Sequence, residues 1–187
     1  MTKECAETTI DDVGNYRGYL KFLARTHLSN NYQGKLDLSD VIQQSLLCAF
    51  QAQAQFKGTT EQEKLAWLRR ILIRTLNRFA RDLNAQKRDI KRERSIDQDI
   101  ENSSMQLGKF LTQKCPTPSQ VAIRQESNVE LAEAIEALHE DQRTAIILKY
   151  WQGMSIKEVA ETMNKSIPAV AGLLHRATRA LKATVAN

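Results

Sequence analysis

Between Leu68 and Leu83 the chain carries a pattern that only a helix satisfies. At about 100° per residue, Leu68, Ile71, Leu72, Thr75, Leu76, Phe79 and Leu83 fall on one side, while Arg70, Arg74, Arg78 and Arg81 gather within about 80° on the other. One face is made to pack and the other to reach outward. Four guanidinium groups on successive turns repel one another, and a purely structural helix would more naturally alternate them with Glu. An anionic partner relieves that repulsion. Arg binds phosphate well and also stacks on unpaired bases, which favours a nucleic-acid backbone over a merely solvated face. Trp67 stands at the margin of the apolar side and suits either the core or a base platform.

The rest of the composition agrees with helices. Seven Gly and three Pro in 187 residues are too few for the many turns of a sandwich or barrel, and 42% hydrophobic residues suffice for one mid-sized domain or two small ones. The fold class expected is all-α. No apolar run exceeds the five residues from Leu46 to Phe50, far short of the roughly 20 that cross a bilayer, and no apolar signal core opens the chain. A cytoplasmic protein with no membrane contact is expected. Cys5, Cys48 and Cys115 are odd in number and lack C-x-x-C spacing, which suggests neither a disulfide framework nor a zinc site.

The net charge of +5 hides a segregation. Residues 64–94 carry 11 basic and 3 acidic side chains, residues 126–163 carry 3 and 8, and residues 165–187 carry 4 and none. Two basic blocks with a neutral and an acidic stretch between them fit a protein that touches a polyanion in two places.

Along the chain, Tyr16, Leu20, Leu23, Ala24 and Leu28 mark a first helix. Ser39 precedes a second, with Val41, Ser45, Leu46, Ala49 and Phe50 as its apolar side, and the polar loop Lys57-Gly58-Thr59-Thr60 follows. Glu61 and Glu63 favour the start of the long basic helix, where acidic groups complement exposed N–H groups, and it is expected to run past Leu83. After Arg94 the periodicity weakens. Asn102-Ser103-Ser104, Gly108 and Pro116-Thr117-Pro118 read as a linker with at most short helical pieces, transmitting no fold stability between its neighbours. The division expected is a domain over 1–94, a linker over 95–124 and a second domain over 125–187.

In the second domain Val129, Ala132, Ile135 and Leu138 define one helix, and Ala145, Ile146, Leu148 and Trp151 begin the apolar side of the next, ended by Gly153. Ser155-Ile156-Lys157-Glu158 is a capping box that opens a short helix, and Asn164-Lys165 makes a turn. Ser166 caps a final helix with Pro168 in its first turn and Val170, Leu173, Leu174, Ala177 and Leu181 as its buried stripe. This is a helix-turn-helix. The exposed side of its last helix carries His175, Arg176, Arg179 and Lys182, and no acidic residue follows Glu161. That suits a recognition helix in a major groove, the turn from Ser166 through Ile167 and Ala169 to Val170 facing base edges and the basic end facing phosphates.

Taken together these residues resemble bacterial RNA polymerase sigma factors of the extracytoplasmic-function class, which keep the two domains called sigma2 and sigma4. Asp40-Val41-Ile42-Gln43-Gln44-Ser45 resembles the D-L-V-Q-E-T element of region 2.2, and Trp67-Leu68-Arg69-Arg70-Ile71 the W-L-x-x-I opening of regions 2.3 and 2.4. Leu138-His139-Glu140-Asp141-Gln142-Arg143 is similar to the L-P-x-x-x-R start of sigma4, and Leu174-His175-Arg176-Ala177 to its L-H-R-A signature. The order and spacing of these motifs, from Tyr16 to Val185, are more specific than any one of them. Arg74 and Arg78 stand where the family usually has Asn and Asp, and Ala169-Val170-Ala171-Gly172-Leu173-Leu174 is similar to sigma factors of planctomycete type.

The resemblance implies a transcription initiation factor that directs core RNA polymerase to promoters. It implies that Asp40, Gln43 and Gln44 dock on the clamp helices of the polymerase β′ subunit and that sigma4 sits on the β flap. It places the minus-ten element on Lys57, Thr59, Trp67, Arg70, Arg74, Arg78 and Arg81, with the loop at 57–60 holding a base flipped from the non-template strand. It places the minus-thirty-five element on Ser166, Ile167, Ala169, Val170, His175, Arg176 and Arg179, and admits an anti-sigma factor as a further partner. No P-loop, metal cluster or catalytic triad is present in the sequence, so no enzyme activity, catalytic residue, metal or cofactor is expected. Two rivals remain: a helix-turn-helix regulator that binds duplex operator without being a polymerase subunit, and a helical enzyme or adaptor whose basic face binds RNA.

Overall fold

The computed structural model describes residues 11–31, 37–83, 90–114 and 126–185, and among these every regular element is helical. In chain order they are α1 (Asp11–Gly14), α2 (Arg17–Asn31), α3 (Leu38–Ala52) with a 3-10 turn at Gln53–Gln55, α4 (Glu61–Leu83) and α5 (Ile90–Lys114). There follow α6 (Glu126–Ala137), α7 (Glu140–Ile146) running into a wide π turn at Ile147–Trp151, α8 (Ile156–Thr162) and α9 (Ile167–Val185). None is long and apolar enough, among the described residues, to cross a membrane. The all-α reading stands.

Local chemistry sets the boundaries. Asp37, not Ser39, caps α3, its carboxylate accepting the Ser39 N–H at 2.7 Å. Thr60 and Glu63 form the bracket that starts α4: Glu63 accepts the N–H of Thr59 at 2.9 Å and of Thr60 at 3.1 Å, and its own N–H lies 3.3 Å from the Thr60 hydroxyl. The expected box at α8 forms, with Ser155 N–H to Glu158 at 2.7 Å and Glu158 N–H to the Ser155 hydroxyl at 3.2 Å. Asn164 turns the chain from α8 to α9 at φ 51°, a left-handed conformation that Asn tolerates well. Arg143 takes up the end of α6, donating to the carbonyls of Glu136 at 2.7 Å and Leu138 at 3.1 Å.

The first four helices close around Tyr19, Leu20, Phe22, Leu23, Val41, Ile42, Leu68, Leu72 and Leu76, all buried. Of the α4 apolar face, Leu68, Ile71, Leu72, Thr75 and Leu76 are buried and Phe79 is half-buried. The side chains of Leu28 and Leu83 lie outside the described residues, as do Cys5 and Cys115.

The stretch expected as a linker differs most. Residues 90–114 are one helix, whose Ile96, Ile100, Ser103, Leu107 and Phe110 are buried, spaced by four, three, four and three residues. Its stripe includes a serine because Ser103 pairs at 3.0 Å with the hydroxyl of Thr26 on α2. Nearby, Arg69 of α4 donates to Glu101 of α5 at 3.1 Å and to the Tyr19 hydroxyl at 3.1 Å, tying three helices together. The rest of the expected linker, 115–124, lies outside the described residues.

Nor do the two halves stand apart. Buried residues from α2 through α9 belong to one continuous hydrophobic cluster. Glu136 of α6 receives Arg25 of α2 through two bonds, 2.9 and 3.1 Å, and Lys21 approaches it at 3.5 Å. Trp151 stands edge-on to Phe22 with centroids 4.9 Å apart, and its indole N–H donates to the Ser103 carbonyl at 3.2 Å. The expectation that nothing couples the halves is therefore replaced by a shared core.

Candidate nucleic-acid interface

Packing of the apolar side of α4 on α3 and α5 leaves its other side in solvent. Arg70, Arg74, Arg78 and Arg81 are all exposed there. The loop before it is held from both ends. Phe56 is half-buried with its ring centroid 5.0 Å from that of Trp67, and the Glu63 bracket fixes the backbone of Thr59 and Thr60. A Cβ on Gly58 would come within 2.3 Å of the Phe56 ring and 2.9 Å of Glu63 Cβ, so glycine is what lets the loop pass between them. Hydrogen bonds from the Thr59 N–H, the Thr60 N–H and the Thr60 hydroxyl hold the Glu63 carboxyl below its ordinary pKa. Lys57 and Thr59 are exposed at the tip. Trp67 is half-buried, one side against the core and one against Phe56, so it is not a bare platform.

The second surface is built by α8 and α9. The turn is closed by the Lys165 N–H donating to the Ala160 carbonyl at 2.9 Å, and Val159, Val170, Leu174 and Ala177 seat the two helices on each other. Ser166, Ile167 and Ala169 are exposed, and so are His175, Arg176 and Arg179. Val170 is fully buried, so its side chain cannot face a groove; that candidate is a core residue. The Arg176 guanidinium lies 3.3 Å from where a Cβ on Gly172 would stand, folded back over the start of the helix.

A third face lies on α3. Asp40 and Gln43 are exposed and Gln44 is half-buried, donating to Cys48 Sγ at 3.4 Å. Beside them Leu47 and Phe50 are each 49% exposed. All five fall within about 120° of one side at 100° per residue. Sequence reasoning had placed Phe50 in the packed stripe and passed over Leu47. The Thr60-x-x-Glu63 spacing that fixes the loop was also missed, although it is a capping-box signature.

Among the described residues no group of three or more His, Cys, Asp or Glu is arranged to hold a metal ion. What the arrangement offers instead is two cationic faces, that of α9 free of acidic residues, and one mixed apolar-polar face, all on helices. The class this defines is a helix-turn-helix protein with a second basic helical surface. Residues 128–181 match the family described as sigma-70, region 4. The chain is 30% identical over 150 residues to the ECF RNA polymerase sigma-E factor of Haemophilus influenzae, covering 80% of this chain and 75% of that protein. It is 31% identical over 155 residues to the protein of the same name from Salmonella typhimurium strain LT2, covering 82% and 76%. The chain belongs to the ECF RNA polymerase sigma factors.

Proposed function

We propose that this chain is the promoter-specificity subunit of a bacterial RNA polymerase. It docks on the β′ clamp helices through the α3 face of Asp40, Gln43, Gln44, Leu47 and Phe50, and on the β flap through its last four helices. Residues 1–94 serve the minus-ten element and residues 125–187 the minus-thirty-five element. The observation that carries this reading is the pair of exposed cationic faces, Arg70, Arg74 and Arg78 on α4 and His175, Arg176 and Arg179 on α9, set on opposite halves of one chain.

At the minus-ten element the arginines hold phosphates, and the braced loop of Lys57 and Thr59 takes a base out of the stack. Opening the duplex loses stacking, and contacts to the freed strand offset that loss, at about 1–3 kcal/mol for each base stacked on an aromatic. The energy comes from binding, so the subunit performs no reaction of its own. Working on the polymerase and its DNA places it in the cytoplasm. At the minus-thirty-five element the small side chains Ala169, Ala171 and Gly172 allow close approach and offer no long hydrogen-bonding groups, a feature shared with the planctomycete-type subgroup.

Run-off transcription with bacterial core polymerase and a library of genomic promoters tests the assignment. Transcripts that start at defined sites only when the chain is added are the expected result. Sequence-specific duplex binding by the chain alone, with no transcription in the presence of core polymerase, would favour a free-standing regulator instead.

A further inference from the structure

Ile167 is the first residue of α9 and is 51% exposed, more than Leu47, Phe50, Met105 or Ile156. The ordinary place for such a side chain is the buried stripe, which α9 builds from Val170, Leu174, Ala177 and Leu181. Ile167 lies ahead of that stripe and stays out of the core. Spaced by four, Ile167, Ala171, His175 and Arg179 form one ridge on the helix surface, and all four are exposed. At about 1.5 Å of rise per residue the ridge is about 18 Å long, against a major groove about 12 Å wide. Its apolar end can therefore lie among base edges while Arg179, at the cationic end, reaches the phosphate wall. No acidic residue stands on α9, so nothing along the ridge repels a polyanion.

What an isoleucine can recognise in that groove is narrow. It has no hydrogen-bonding group, and the base edges there present one apolar group, the 5-methyl of thymine. We propose that Ile167 reads a thymine methyl group in the minus-thirty-five element. This rests on the promoter reading above.

The surroundings of Ile167 fit a methyl-sized target better than a protein surface. Its exposed neighbours Ser166, Pro168 and Ala169 are small, so the apolar area is that of a single side chain. Contiguous patches that mark protein contacts run to several hundred Å², which is about an order of magnitude more than a methyl contact needs. The side chain is also prepared for its role. Branching at Cβ leaves it few rotamers, Pro168 restricts the backbone just before it, and the Ser166 hydroxyl accepts the Ala169 N–H at 3.4 Å. Little freedom remains to be lost on contact. Ala169, Ala171 and Gly172 bring no side-chain hydrogen bonds to the bases, so in the first two turns of α9 the methyl contact carries the direct readout.

Deoxyuridine differs from thymidine only by that methyl group and keeps the base pair. The test uses holoenzyme assembled from core polymerase and the full chain, on the strongest promoter fragment that run-off transcription yields. Each thymine of the minus-thirty-five element, on either strand, is replaced in turn by uracil. Wild type should lose about fourfold in affinity at one position, the worth of one buried methyl group, and little elsewhere. Ile167→Ala should bind the unmodified promoter about fourfold less tightly and lose nothing further with uracil at that position, because the two changes remove one contact. Ile156→Ala, which trims an exposed apolar side chain at the start of α8, should keep the whole uracil penalty. A methyl contact releases no counterion, so the slope of log affinity against log salt should be the same for wild type and Ile167→Ala.

Uracil tolerated at every position, an element without thymine, or an equal penalty in wild type and Ile167→Ala would overturn the proposal. So would an Ile167→Ala chain that loses core polymerase instead of promoter, which makes the residue a protein contact. A wild-type chain that drives no transcription shows a different failure, that of the promoter reading itself, and the methyl contact goes with it.

Discussion

Both α4 and α9 bury one stripe and turn a cationic face outward, yet they rest on different foundations. Beneath α4 the core is studded with polar groups: among the described residues the buried polar side chains Thr26, His27, Ser45, Thr75 and Ser103 all lie on α2 to α5. Beneath α9 the buried residues are apolar, from Leu131 and Ile135 through Val159 and Val170 to Leu181. The faces differ in the same sense. Long arginines on successive turns dominate α4, whereas α9 opens on Ser166, Ala169 and Ala171 before its basic end. A surface that must hold a distorted, opening duplex needs long charged arms on a precisely oriented support. A surface that reads an intact groove needs close approach, which small side chains permit.

The largest effect should come from reversing the arms. Arg74→Glu with Arg78→Glu replaces two cations by two anions on a fully exposed side, so helicity and thermal stability should stay near wild type. Promoter opening should fall by about a hundredfold at physiological salt, since several phosphate contacts are lost and repulsion added. Permanganate reactivity of unpaired thymines on linear templates measures this. Normal opening would reduce the α4 face to a solvated surface and dissolve the contrast with α9.

Next in size is the loop brace. Gly58→Ala drives a methyl group into the Phe56 ring, so Phe56 must leave Trp67 or the loop must shift, at a cost of about 1–3 kcal/mol. Binding of closed duplex should be nearly unchanged while opening slows by about tenfold, because only the loop tip is displaced. Equal losses in binding and opening would show that the loop serves docking instead.

How much of this was legible in the sequence depended on whether the deciding interaction was local. The α4 faces, the α8 capping box and the α9 stripe follow from spacing within one helix; the box forms, and among the described residues both stripes are buried except Phe79 and Leu173, which are half-buried. The α5 helix was hidden because its stripe includes Ser103, polar by type yet buried through its bond to Thr26, 77 positions away. Leu47 and Phe50 misled in the other direction: an apolar residue on an amphipathic helix reads as core, and only the fold reveals that these two stay exposed while Val41, Ile42 and Ala49 are buried. Val170 was mistaken because it falls in the reading turn by position while its side chain points to the core. The Arg25–Glu136 pair, 111 positions apart, leaves no periodic trace in the sequence.

A smaller effect should mark α9. Arg176→Ala removes one cation, so holoenzyme binding should weaken only a few-fold, to a similar degree across variants of the upstream element, and the slope of log affinity against log salt should fall by about one unit. Titrations across a salt series measure both. A loss confined to one base position with the slope unchanged would make Arg176 a base reader and bring α9 closer to α4 in kind.

The smallest expected effect tests the two foundations themselves. His27 is buried between α2 and α5 with Nδ1 3.2 Å from the Asp99 carboxylate. Burial pushes its pKa below the ordinary 6.5, and the charge and hydrogen bond of Asp99 oppose that shift only in part. The unfolded chain therefore takes up a proton before the folded one does. Stability from the neutral imidazole is fully present above about 6.5 and is lost as pH falls below it, towards the depressed folded value. Unfolding by urea between pH 7.5 and 5.5 should show wild type losing more stability than His27→Gln, which cannot titrate, and exchange protection should fall first in α2 and α5 while α8 and α9 keep theirs. Parallel pH profiles for the two proteins would mean that the Asp99 contact cancels the cost of burial, and that the support of α4 is no more sensitive to protons than that of α9.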